Sequence, residues 1–399
     1  MVIRGTVVCA AIEQLVLGAT SEIADAFAPL ETGAEMKITD VITHNLAYQV
    51  KHPYRNCCSG WVHLRPATLV EVRSDNGLVG WGEGGQAPDR DDIETYAIGQ
   101  NPFDYEVIYD NLSRSGRSAS SACGVEIALW DLMGKALDQP VYQLLGGARR
   151  DRVTAYASGF FELQGVDHVQ SLVAEARRCR DAGFRAIKMR IGFGPEQDER
   201  IVAAVREAIG DDIGLAADVN LGYDVPTAIA AGLRLAAYDL MWYEEPTAAE
   251  DLDGYCEIKQ ALPMRIAGAE GLSGLRSFRE IVQRRAVDII QPDISRAGGF
   301  TEGRRICALA AANHVRVIPH MFGTVVRLAA TLQWLATLPD DPVALNPFPC
   351  YLELDVMENG LRSDLSPTPF ELEEGMVKIP DRPGLGVEID AEALRRYCA

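Results

Sequence analysis

The chain has 399 residues, 48% of them hydrophobic and 24% charged, and its formal net charge is −19. That size and composition suit a globular protein of more than one domain. The acidic balance argues against nucleic acid and against an anionic membrane face as partners, and no apolar run is long enough to span a bilayer.

Residues 1–35 read as an N-terminal extension of unclear role. Their stretch TVVCAAIEQLVLGAT has the outline of a signal peptide, but Glu13 and Gln14 break its apolar centre and only Arg4 precedes it. A first strand, MKITDVITHNL, begins at Met36 with its own methionine. The nine cysteines are scattered, with Cys57 next to Cys58 and no CxxC pair. They read as reduced thiols in a cytoplasmic protein.

From 36 to about 85 the pattern alternates as strands do, and Asn76-Gly77 marks a hairpin turn. From about 90 to 145 it turns helical, with SACGVEIALWDLMGKAL as a strong amphipathic segment stopped near Pro140 and Gly146-Gly147. Residues 36–148 are therefore expected to form a small α+β capping domain. Within it, the polar loop YQVKHPYRNCCSGW, residues 48–61, is placed to act as a lid. His52, Tyr54, Arg55 and Trp61 are its candidate substrate contacts, beside the plainer reading of an exposed loop.

From about 150 short apolar strands alternate with helical stretches, giving VTAYASG, AIKMRIG, IGLAADVN, LMWYEEP, RIAGAEG, VDIIQPDIS, VRVIPHM and CYLELD. Eight βα units over roughly 200 residues predict an α/β fold, a (β/α)8 TIM-type barrel over 149–355. An open doubly wound sheet is the alternative, and the lack of GxGxxG after the first strand weakens its dinucleotide-binding form.

Where these strands end stand Lys188 and Arg190, then Asp218 and Asn220, Glu244, Glu270, Asp293, His320 and Glu353. Taken singly, each acid can be a helix cap and the histidine a satisfied core residue. Seven consecutive strand ends with ionisable groups, each about one βα unit from the next, instead predict a ring at the C-terminal mouth, where such barrels keep their active sites. Asp218, Glu244 and Glu270 make a hard-oxygen set suited to Mg²⁺, and no His or Cys among them points to zinc. Asn220 is placed to support the metal or a substrate oxygen. Asp293 beside His320 makes a general base, and Lys188 and Arg190 face it across the mouth. The chemistry implied is removal of a proton α to a carboxylate in a small-molecule substrate.

The motifs KMR, ADVN, YEEP, AGAEG, QPDISRAGG, IPH and YLELD, with the cap segment EIALWDLMGKALDQPVYQLLGG, resemble the enolase superfamily, in particular its mandelate racemase branch, over about residues 36–390. The resemblance implies Mg²⁺ on Asp218, Glu244 and Glu270, an Asp293–His320 base dyad, and Glu353 bonded to a substrate carboxylate oxygen as a neutral acid. It also implies a C-terminal segment, 356–399, that returns to the cap, and it leaves room for a homo-oligomer. One departure matters. The branch commonly has a second lysine where this chain has Arg190, and arginine is a poor base. Lys188 could still titrate if its cationic neighbour lowers its pKa. With a single base, β-elimination on an acid sugar or its lactone is expected, by a dehydratase or a lactone cycloisomerase. The rivals are a racemase or epimerase, a non-catalytic sugar-acid-binding protein, and a metal-dependent hydrolase.

Overall fold

The computed structural model describes residues 36–114, 119–340 and 348–399. Residues 1–35, 115–118 and 341–347 lie outside the described residues.

The cap opens with β1 (Ile38–Arg55), β2 (Val62–Ser74) and β3 (Val79–Gly84), an antiparallel meander turned at Gly77. The segment 48–61, expected to be a long loop, is mostly strand: β1 runs to Arg55 and pairs Tyr54 with Val62. Its alternating tyrosine, valine and glutamine side chains suit a pleated ribbon, so only 56–61 is left as a turn. A register shift between Gln49 and Tyr54 bends the hairpin. Its tip pairs with β5 (Glu162–Leu163), so the cap reaches the barrel mouth.

The helix Ala119–Ala136 lies directly on β3. Alternate glycines make this contact possible: a Cβ on Gly80 would stand 2.1 Å from Ala128 O, and one on Gly82 would stand 2.0 Å from Gly124 O. The helix is buried nearly all round and not on one stripe, because its two faces serve two cores. Val125, Leu129 and Leu132 pack in the cap, while Ile127, Trp130 and Met133 pack against the barrel.

Eight parallel strands follow: β4 (Arg152–Ser158), β6 (Ala186–Arg190), β7 (Gly214–Asp218), β8 (Leu240–Glu244), β9 (Ile266–Gly268), β10 (Ile289–Ile290), β11 (Arg316–Val317) and β12 (Tyr351–Asp355). Each pairs in parallel with the next from β6 to β11, and β4 lies between β6 and β12. First and last strands are neighbours, as in a barrel and unlike an open sheet. Inside, Tyr156, Ala186, Ala216, Trp242, Ala267, Ile289, Ile318 and Tyr351 form the floor. The fold is thus a (β/α)8 barrel under an α+β cap. Two short strands near the C-terminus, β13 (Leu372–Glu373) and β14 (Met376–Lys378), form a hairpin that pairs with β4. The chain then meets the cap again, at Val141 N–H to Gly384 O and at the Leu46–Cys398 bridge. No helix of the described residues is long and apolar enough to cross a membrane.

One carboxylate fastens cap to barrel. Glu126 accepts hydrogen bonds from Trp130 Nε1 (2.7 Å), Phe300 N (2.9 Å), Thr301 N (2.8 Å) and Thr301 Oγ1 (2.7 Å), the last three at the start of the barrel helix Gly299–Ala312. Truncation would strand these buried donors. E126A is expected to destabilise the protein by about 3 kcal/mol in urea unfolding, and a loss below about 1 kcal/mol would show the staple to be dispensable.

Candidate active site

Side chains on a strand alternate, so every second residue of a barrel strand points inward. On β8 this sends Trp242 into the floor and Glu244 above it. On β6 it sends Ala186, Lys188 and Arg190 inward, in rising layers. Register does the rest: Arg190 pairs with Asp218, Asp218 with Glu244, and Glu353 with Tyr156. The ring of ionisable groups thus follows from strand period and parallel register.

The two cations lie at different heights. Lys188 is wholly buried in the lower layer, paired with Glu244, with Glu353 at 2.9 Å and with Asp218 at 3.5 Å. Arg190 sits higher, paired with Asp218, 3.3 Å from Asn220 Oδ1, its guanidinium 4.9 Å from the Phe161 ring centre. Asn220 also donates its backbone N–H to Asp218 Oδ1 at 2.7 Å. The expectation of a lysine with lowered pKa is not met. Burial does pull Lys188 down, but Glu244 and Glu353 outweigh it and raise it well above the ordinary value.

Opposite them, His320 Nδ1 lies 2.8 Å from Asp293 Oδ2. Asp293 Oδ1 accepts from Ser295 N and Oγ, each at 2.8 Å, so this acid caps a short helix and also orients the imidazole. Burial pushes the Asp293 pKa up, but Arg327 and then His320 more than offset this and hold it far below the carboxylate range. With Nδ1 engaged, Nε2 is the nitrogen left to face the mouth, 3.3 Å from Glu270 Oε2 and 3.9 Å from Glu353 Oε2. Burial disfavours charge on the imidazole, yet Glu270, Glu353 and Asp293 raise its pKa. Glu353 accepts from Ser158 Oγ (2.6 Å) and Met321 N (3.1 Å). Burial pushes its pKa up, but Lys188, His320 and Arg190 more than offset this and bring it down, a shift opposite to the one a neutral acid would need.

Asp218, Glu244 and Glu270 each offer an oxygen, and these oxygens lie within 4.8 Å of one another. Glu270 Oε2 is buried with no hydrogen-bond donor. Glu244 Oε2 is already held by Trp242 Nε1 and Gln291 Nε2, both at 2.7 Å, and Oε1 is paired with Lys188. Burial and then the neighbouring acids push Glu245 up, and Glu244 is also raised, chiefly by burial. Crowded hard-oxygen donors whose own charges repel fit a divalent cation of the Mg²⁺ type.

The cap contacts divide. Tyr54 is buried against Phe161, ring centres 4.7 Å apart, in an apolar cluster with Val50 that also touches Phe322. It therefore reaches the ring through Phe161, the ring that lies beneath Arg190. Arg55 is engaged with Glu162 at 2.7 Å and lies over Trp61 at 4.6 Å. His52 is exposed. Neither Arg55 nor His52 is drawn into the ring.

Sequence reasoning missed the groups that support this ring. Gln291 and Trp242 each lie two residues before a ring member, Trp242 on the same face of β8 as Glu244 and Gln291 just past the end of β10, and that spacing was a usable signal. Arg327 was visible as a charge inside the apolar helix Val325–Thr337. It bridges Asp293 Oδ2 at 3.0 Å to Glu83 Oε1 of the cap at 2.6 Å, and all three side chains are buried. A Cβ on Gly323 would stand 2.5 Å from Arg327 Nε, so a glycine leaves room for the bridge.

The N-terminal domain model of the mandelate racemase / muconate lactonizing enzyme family matches residues 38–146, and the enolase C-terminal domain-like model matches 171–393. D-galactarolactone cycloisomerase of Agrobacterium fabrum is 40% identical over 374 residues, covering 91% of this chain and 99% of that protein. Arabinonate dehydratase of Saccharolobus solfataricus is 29% identical, covering 90% of this chain and 99% of that one. Among solved structures, a racemase from Streptomyces coelicolor with bound magnesium superposes with a TM-score of 0.80 at 29% identity, over 91% of this chain and 100% of that chain.

Breaking the buried bridge would leave Glu83 and Asp293 without their shared partner. R327M is expected to cost about 3 kcal/mol in urea unfolding, with R327K recovering part of it. Equal stability of R327M and the unaltered protein would contradict this reading.

Proposed function

Because the chain belongs to the mandelate racemase/muconate lactonizing enzyme family of the enolase superfamily, we propose that it is an Mg²⁺-dependent enzyme that takes the proton α to a carboxylate of an acid sugar or sugar lactone and completes a β-elimination to a 2-keto-3-deoxy acid. The observation that carries this is the placement of His320 Nε2, 3.3 Å from Glu270 Oε2, beside the three-carboxylate cluster of Asp218, Glu244 and Glu270.

Asp218, Glu244 and Glu270 would hold the cation. When bound, it supplies stabilisation of the negative charge that develops on the substrate carboxylate. Arg190 and Lys188, both kept protonated, add to that stabilisation from the opposite side. His320 takes the α-proton at Nε2, while Asp293 fixes the tautomer and steadies the imidazolium. Arg327 keeps Asp293 ionised for that task. Tyr54, Phe161 and Phe322 keep water from the mouth.

β-Elimination is favoured over racemisation because no neutral base faces His320. Arg190 cannot give up its proton at ordinary pH, and Lys188 lies wholly buried in the lower layer, 2.9 Å from Glu353, and not at the height of the mouth. Within the elimination class, a lactone cycloisomerase is favoured. A ring ester oxygen leaves as a carboxylate and needs no added proton, whereas a departing hydroxyl must be protonated. One base therefore suffices for the lactone, and the 40% identical relative carries that activity.

The test is proton NMR in D₂O with Mg²⁺ against aldonates, aldarates and their lactones. A deoxy methylene signal from a lactone, and none from the open acid, is the expected result. Loss of the α-proton signal alone would mean a racemase or epimerase and would overturn the reading. H320N is expected to lower turnover at least about 100-fold while leaving Mg²⁺ affinity, measured by calorimetry, close to that of the unaltered protein. EDTA is expected to abolish turnover, and Mg²⁺ to restore it.

A further inference from the structure

The turn at the tip of the cap hairpin carries Cys57 and Cys58, which none of the proposed chemistry uses. Their sulfurs lie 3.5 Å apart. Cys57 is half-buried and donates its S–H to the carbonyl of Val219 at 2.9 Å, between Asp218 and Asn220 on the loop after β7. Cys58 is exposed.

The seat of Cys57 is built for its sulfur. A Cβ on Gly192 would stand 2.5 Å from Cys57 Sγ, and one on Gly222 would stand 2.7 Å from the same atom. Any larger residue at either position would push the thiol out. The two glycines come from the loops after β6 and β7, the strands that carry Lys188, Arg190 and Asp218. The hairpin tip is thus plugged into the barrel mouth by one side chain. The turn itself is held by Asn56 N to Ser59 Oγ and by Cys58 N to Asn56 Oδ1, both at 3.1 Å, which keeps the two thiols side by side.

We propose that Cys57 and Cys58 form an oxidative modification site, a dithiol that a peroxide converts to a disulfide between adjacent residues, unplugging the hairpin from the barrel. Cys58, open to solvent, reacts first. Its thiolate attacks one peroxide oxygen, the O–O bond breaks, and a sulfenic acid and one water result. The Cys57 sulfur then attacks the Cys58 sulfur, forming the S–S bond and expelling the sulfenic oxygen as a second water. In sum, two thiols are oxidised, one hydrogen peroxide is reduced, and two waters leave. Cys57, half-buried on the Val219 carbonyl, is shielded from peroxide and lies within reach of the Cys58 sulfur, which fits it to the second step.

The disulfide consumes the S–H that bonds Val219 and draws the sulfurs to about 2.05 Å. Adjacent residues hold their Cα atoms about 3.8 Å apart, less than the roughly 4.4–6.8 Å of ordinary disulfides. The bond is therefore strained and readily reduced, which places it with labile regulatory disulfides. The site stands on the hairpin geometry alone and holds whatever the reaction catalysed below it.

The test uses the full chain, treated with hydrogen peroxide, alkylated, digested and weighed, with hydrogen exchange measured in parallel. The expected result is a peptide containing both cysteines that resists alkylation and is lighter by two hydrogen atoms, reverting with dithiothreitol. Exchange at residues 57–61 should rise several-fold on oxidation. C58S is expected to match the unaltered protein in exchange before peroxide and to show no rise after it. Free alkylation of both thiols after peroxide, a mixed disulfide to a second molecule, oxygen added without disulfide, or a disulfide with unchanged exchange would each overturn the proposal.

Discussion

The mouth of this barrel concentrates acid where little water reaches. Asp218, Glu244, Glu245, Asp293 and Glu353 are buried and Glu270 nearly so, and they outnumber the permanent cations Lys188, Arg190 and Arg327. Buried charges must be paired or neutralised. Each other feature of the site answers that constraint. Lys188 lies among three acids, Arg190 covers Asp218, Arg327 is shared between Asp293 and the cap, and Glu244 is bonded from the floor by Trp242 and Gln291. The remaining excess of acid is what a divalent cation would balance.

The same constraint divides the labour between the two sides of the site. On one side every titratable group is a cation fixed by carboxylates. On the other, His320 has one nitrogen tied to Asp293 and the other turned to the mouth. In the proposed reaction a site so divided removes a proton from one face only. That asymmetry links Arg190, a cation that cannot serve as a base, to elimination as the proposed outcome. The cap takes part structurally. Glu83 reaches the base dyad through Arg327, Tyr54 reaches Arg190 through Phe161, and Glu126 locks the cap helix onto the barrel.

Much of this was legible in the sequence because a barrel has a simple period. The βα rhythm gave the fold, and the polar residue closing each strand gave the ring, since strand period and parallel register leave such residues nowhere else to point. What escaped depended on distance or context. The segment 48–61 looked like a loop because its polar residues hid a strand alternation. The helix Ala119–Ala136 looked amphipathic, but a helix between two cores is buried on both faces. The pKa of Lys188 depends on the acids that three other strands bring to it and not only on its cationic neighbour Arg190. The neutral Glu353 that the family resemblance implies runs against the downward pull of Lys188, His320 and Arg190. Arg327 and Glu83 lie 244 positions apart in the sequence, and no local pattern relates them.

The most direct test of the account is a crystal structure of the protein soaked with Mn²⁺, read by anomalous scattering. The account expects one strong peak bounded by Asp218, Glu244 and Glu270, with His320 Nε2 left free of metal. A peak that includes His320 as a ligand, or no peak among the three carboxylates while the Lys188–Glu244 and Arg190–Asp218 pairs persist, would contradict it. The ring would then be a structural ion-pair network and not a metal-assisted active site.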